Sequence, residues 1–193
     1  MISVQDNVMG RAYKNFWALN TDEAVVAGIL RDERDKDIEV FLPLNAQMKD
    51  VDLILVNMKH KKLLSVQVKG SKAYEPKKNE TEKFGEGSTG WFFFPKDVIE
   101  KSTADFFIFL IYVIEQHSKT GRRTIEPHTI TIPTHKIKEL AKNNKIPHGD
   151  NRYSFYFWVN PKKKEAFDWR DKRYDVSEYL DSRGFEILNN SLI

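Results

Sequence analysis

The sequence contains no cysteine among its 193 residues. Disulfides are excluded, and with them every zinc site built on thiolates. A chain without cysteine fits a reducing compartment, and we expect a cytoplasmic protein. Long apolar runs are also scarce. The longest, Phe106 to Ile114, is less than half of the about 20 residues that a membrane-crossing helix needs. It reads instead as a strand buried on both faces. The segment MISVQDNVMG has no basic stretch followed by an apolar one, so neither a signal peptide nor a membrane partner is expected. There is no internal repeat and no low-complexity tract. Neither G-x-x-x-x-G-K-[ST] nor G-x-G-x-x-G occurs, which removes the common phosphate-cradling loops. The histidines His60, His117, His128, His135 and His148 include no pair at i, i+4, so no helical zinc pair is present. His128 and His135 read as loop or cap residues flanking a strand. The formal net charge is only +3, which permits nucleic-acid binding without demanding it.

What is present is an ordinary globular composition, 40% apolar and 31% charged. A chain of this length forms one domain, 1–193, able to bury about 70% of its unfolded surface. Phe16, Leu19, Val26 and Leu30 fall on one face of a helix over the first 35 or so residues, with Glu23 on that same face. Asn20 to Glu23 also fits a capping box, which leaves one helix or two open. Three short alternating strands follow: Asp37 to Pro43, Val51 to Asn57 and Leu64 to Ser71. The last two would form a hairpin around Met58 to Lys62.

Tyr74 to Gly90 is polar with three glycines and reads as a long mobile loop. A strand at Gly90 to Pro95, a short helix at Lys96 to Ala104 and the buried Phe106 to Ile114 strand come next. His117 to Pro127 reads as a turn and Thr129 to Ile132 as a strand. Thr134 to Asn143 is expected to be a helix capped by Thr134. Tyr153 to Val159 alternates as a strand, and Ser177 to Arg183 reads as a last helix ended by Gly184. This order predicts an α/β fold: a mixed central sheet flanked by helices.

The chemistry concentrates in Val51 to Lys72. Gln67 and Lys69 are two apart in a strand and share a face, opposite Val66 and Val68. If the hairpin centres on its turn, paired residue numbers sum to roughly 120. A sum of 119 or 121 puts Asp52 on the face of Gln67 and Lys69; a sum of 120 does not. Phosphodiester hydrolysis uses these residue types. A carboxylate holds a hard divalent cation, an amide or carbonyl oxygen completes its shell, and a lysine orients water or neutralises phosphate.

Asp52, fourteen intervening residues, then Gln67-Val68-Lys69, with Gly70-Ser71 after them, resembles the PD-(D/E)xK signature in its Q-x-K variant. The resemblance to restriction-endonuclease-like nucleases covers Glu23 to Ile114, and residues from about 128 onward would be a C-terminal elaboration. Two departures stand out: Val51 replaces the usual proline, and Gln67 replaces an acid. Asp50 is a second candidate for the first acid.

The resemblance implies a core of helix, three antiparallel strands, helix and strand. It also implies a metal-dependent endonuclease acting on DNA, with Mg²⁺ or Mn²⁺ held by Glu23, Asp52 and Gln67. Lys69 would position the attacking water. The alternative is a catalytically weakened nucleic-acid-binding module on the same fold. Phosphate contacts are expected from Ser71, Lys72, Lys77, Lys78, Arg170 and Arg173, with Trp169 as the best exposed ring for a base; a homodimer is implied by analogy only. The other aromatics of Trp91 to Phe94 and Tyr153 to Trp158 should be mostly core, with a minority able to stack on bases.

Overall fold

The computed structural model describes residues 21–43, 50–116, 121–143, 151–170 and 173–193. Phe16, Leu19 and Asn20, on which part of the helix expectation rests, lie outside them. The architecture is mixed α/β, with helices flanking a mixed sheet. Helix α1 (Thr21–Glu33) leads into strands β1 (Ile38–Phe41), β2 (Leu53–Asn57) and β3 (Lys62–Gly70), which pair antiparallel with one another in sequence order. Next come α2 (Lys78–Phe84), β4 (Ser88–Pro95) and α3 (Lys96–Glu100), then β5 (Phe106–Gln116) and β6 (Arg123–Pro133). Helix α4 (Thr134–Asn143), β7 (Arg152–Asn160), β8 (Glu165–Asp168), β9 (Tyr174–Asp175), a 3₁₀ turn (Ser177–Tyr179) and α5 (Ser182–Ser191) complete the described chain.

The first sheet runs β1-β2-β3-β5-β6, with β3 and β5 parallel; the second runs β4-β7-β8-β9. The parallel pairing requires a crossover. The resemblance implies one helix there; the chain has two short helices with β4, expected at Gly90 to Pro95, between them, so it visits the second sheet before returning. On one face of the first sheet, Val66, Val68, Phe106, Ile108 and Leu110 pack with Val26 and Leu30 of α1 and with Phe185 and Leu188 of α5. On the other, Phe107, Phe109, Ile111 and Val113 pack against Phe92, Phe94, Phe155 and Phe157 of the second sheet. Central β5 is thus buried on both faces, as its unbroken apolar run implies.

Three expectations need correction. Tyr74 to Gly90 is not a structureless loop: it contains α2, seated by Lys77 N–H donating to Glu80 Oε2 at 2.7 Å, and the start of β4. Residues 123–127 are not a turn but the first half of β6, since an edge strand tolerates Pro127. At the expected start of α4, the Thr134 hydroxyl donates to the Ala104 carbonyl at 2.6 Å, tying the helix to the segment before β5. Gly184 does not end the last helix. It lies inside α5, where a Cβ would overlap the Tyr179 carbonyl and crowd Thr131, so the glycine serves close packing.

Candidate active site

The hairpin register fixes the site. Leu53 pairs with Val66 and Asn57 with Lys62, so paired numbers sum to 119. Asn57 Oδ1 shapes the four-residue turn by accepting from the N–H of Lys59 and of His60, at 3.0 and 2.9 Å, while Lys61 takes a positive φ of 55°. Continued by one step, this register sets Asp52 level with Gln67, on the face that Gln67 shares with Lys69. Asp52 N–H donates to the Val66 carbonyl at 2.8 Å. Its carboxylate turns inward, where Oδ2 accepts the Val68 N–H at 2.7 Å and lies 3.8 Å from Lys69 Nζ.

Gln67 is only 4% exposed, beside Phe107 across the parallel pairing. Its Oε1 is buried and finds no hydrogen-bond partner among the described residues. An amide oxygen left so costs about 1–3 kcal/mol of desolvation, and it marks a place where an electron-pair acceptor would fit. Asp52 and Lys69 keep 22% and 29% side-chain exposure, so the orphaned oxygen lies on the same face as a carboxylate and an ammonium that solvent still reaches. The ion pair itself adds little to stability, about 0–1 kcal/mol in so exposed a setting.

Helix α1 packs on the opposite face of β3. There Glu23 is half-buried in the first turn. Its neighbour Asp22 is the carboxylate whose contacts reach the sheet. Asp22 Oδ1 accepts the Tyr112 hydroxyl at 3.0 Å, and a Cβ on Gly70 would overlap the Asp22 carboxylate. Burial first, then the Asp22 hydrogen bond and charge, hold the Tyr112 phenol above its usual range. Sequence reasoning missed this pair because its partners are ninety positions apart. Gly70, a glycine where β3 should carry a side chain, is the one local signal of a close approach. Asp50, the alternative acid, has a positive φ of 69° just before β2.

Past Lys69, Ser71 extends the ladder, donating its N–H to the Leu110 carbonyl at 3.0 Å. Its buried hydroxyl accepts the Trp91 N–H at 3.0 Å and donates to the Lys72 carbonyl at 3.1 Å, so Ser71 joins the two sheets. Lys72, Lys77 and Lys78 are exposed, Lys78 lying 3.9 Å from Glu82. Trp169 is half-buried and donates Nε1–H to Thr89 Oγ1 at 3.3 Å. Arg170 bonds the Ser154 carbonyl at 3.0 Å and lies 5.8 Å from the centre of the Tyr156 ring. Arg173 stands 4.0 Å over Phe167.

A separate titratable pair lies on the far edge of the first sheet. His128, expected in a loop, lies within β6 with Nδ1 2.9 Å from Asp181 Oδ2, while Asp181 Oδ1 accepts the Thr129 N–H at 2.8 Å. Among the described residues no three His, Asp or Glu side chains converge on a metal-sized site, and no helix is long and apolar enough to cross a membrane. In comparisons with known proteins, the chain matches no family model, no curated protein and no solved structure.

Proposed function

We propose that this chain is a metal-dependent nuclease that hydrolyses phosphodiester bonds of DNA at Asp52, Gln67 and Lys69. The observation that carries the reading is the one shared face on which a carboxylate, a buried orphaned amide oxygen and an ammonium meet. The element order supports the reading: a helix, three antiparallel strands and, after further helices, another strand of the same sheet come in the order that the resemblance implies. The excursion into a second sheet before β5 is a departure from that pattern.

The donor set fits a hard divalent cation such as Mg²⁺ or Mn²⁺. Asp52 and Gln67 would hold it, leaving the remaining positions to water, as Mg²⁺ prefers. Such an ion would supply charge neutralisation at the phosphate and a more acidic water. With one acid in this pair, affinity for the ion should be modest. Glu23 completes the proposed set; lying on α1 behind β3, it would reach the ion only around the strand's end, so its share is smaller than that of Asp52. Lys69 brings a positive charge to the scissile phosphate and can orient the attacking water through its N–H donors. Lys72, Lys77 and Lys78, all exposed, would contact the phosphate backbone.

The second reading is a binding module without cleavage, favoured by Gln67 in place of an acid. Incubation of the purified chain and Lys69→Ala with plasmid and single-stranded DNA in Mg²⁺, Mn²⁺ and EDTA separates the two. Cutting that needs metal and is lost in the variant establishes the nuclease. DNA retained in EDTA but never cut in either metal refutes it in favour of the module.

A further inference from the structure

The second sheet turns an aromatic face outward where a solvated sheet should be polar. Phe92, Phe94, Phe155 and Phe157 point into the core, so Trp91 and Phe93 of β4 and Tyr156 of β7 point out. Trp91 and Tyr156 are directly paired across the strands, with ring centres 4.5 Å apart. Phe93 lies 5.9 Å from Tyr156, Tyr74 5.8 Å from Trp91 and Trp169 5.6 Å from Tyr156. At one end of this face Phe84 of α2 covers Trp158, at 5.3 Å. At the other end Phe93 remains 52% exposed and Tyr74 37%.

We propose that this face is a stacking platform for the bases of a single-stranded segment of DNA, leading its backbone to Lys69. Three observations select that occupant. The exposed rings of Phe93 and Tyr74 adjoin the half-buried rings of Tyr156 and Trp91, a run of aromatic side chains that suits π-faced bases better than a protein helix. Cations adjoin the rings: Arg170 is fixed near Tyr156 by its bond to Ser154, and exposed Lys72 follows Ser71. The platform is also continuous with the candidate site, since Trp91 N–H binds Ser71, two residues beyond Lys69. The proposal rests on the nuclease reading only for where the strand leads.

The test is done in EDTA, where cutting is off. Fluorescence anisotropy compares a labelled oligodeoxythymidine with an abasic oligomer of equal length and charge, using the full chain, Phe93→Ser and Tyr74→Ala. The base-bearing oligomer should bind about tenfold tighter or more, and each variant should lose about five- to tenfold for it alone. Both side chains are exposed, so melting temperatures should not move. Equal affinity for the two oligomers, or variants that bind as well as the parent, overturns the platform. So does a dimer in sedimentation that Phe93→Ser dissolves, since a second copy would then own the face. Base-dependent binding without cutting in metal would sink the nuclease reading and leave the platform. Cutting with no preference for bases would do the reverse.

Discussion

Asp52 Oδ2 lies 3.8 Å from Lys69 Nζ while accepting the Val68 N–H at 2.7 Å, so one oxygen serves both the strand pair and the site. The two duties separate by substitution. Asn at position 52 can still accept from Val68 but carries no charge; Ala does neither. Asp52→Asn should melt within a degree or two of the parent, and Asp52→Ala should lose about 1–2 kcal/mol in urea unfolding. Both should lose metal-dependent cutting by about a hundredfold or more. Cutting retained by Asp52→Asn would remove Asp52 from the proposed chemistry.

Gln67 gives a stability test that needs no substrate. Gln67→Leu removes a buried oxygen without a partner and should leave the metal-free chain as stable or about 1 kcal/mol more so. Gln67→Glu buries a second carboxylate near Asp52 and should destabilise the chain in EDTA. Mg²⁺ or Mn²⁺ should restore that loss and raise the melting temperature of Gln67→Glu more than that of the parent. A metal response equal in parent, Leu and Glu variants would show that no ion binds at Gln67.

The Asp22, Gly70 and Tyr112 contact predicts non-additivity. Gly70→Ala drives the Asp22 carboxylate off its position and so breaks the Tyr112 hydrogen bond. Tyr112→Phe deletes the same bond from the other side. Each should cost about 1 kcal/mol, and the double variant should cost clearly less than the sum. Strict additivity in chemical denaturation would mean that Asp22 accommodates the new methyl without losing Tyr112.

His128 sets part of the pH dependence of stability. Burial pulls its pKa down, but the hydrogen bond and charge of Asp181, with the charges of Glu126 and Glu115, outweigh this and hold it above 6.5. The folded chain therefore keeps this proton more tightly than the unfolded chain does. The resulting stabilisation is complete below about pH 6.5 and disappears as pH rises through the folded value. Melting temperature measured from about pH 6 to about pH 8 should fall more steeply in the parent than in His128→Gln. Parallel curves would refute the coupling to Asp181.

Much of this was legible in the sequence because it is local. The alternation of Val66 and Val68 against Gln67 and Lys69 set those two on one face, while the place of Asp52 stayed open between registers until pairing at a sum of 119 decided it. The apolar run at Phe106 announced a strand buried on both sides. What was not legible depends on distant partners. The polar residues of Lys78–Phe84 gave no sign that Phe84 would be needed over Trp158, so the helix looked like a loop. Gly184 carried a helix-stop signal that the carbonyl of Tyr179 overrode. His128 looked like a loop residue because its partner, Asp181, is fifty-three positions away.

The passage of the chain through both sheets has a consequence for how the protein matures. Val66 must wait for Phe106 to form its parallel pairing, and β4 must wait for β7 before its own sheet exists. Leu188 of α5 and Leu192 just after it share a core with Val66 and Val68, on the face of β3 opposite Gln67 and Lys69. Asp52, Gln67 and Lys69 are therefore synthesised well before α5, and the core behind them closes only once α5 has been made. A chain cut short before α5 would carry every one of those residues without the wall that holds them in register.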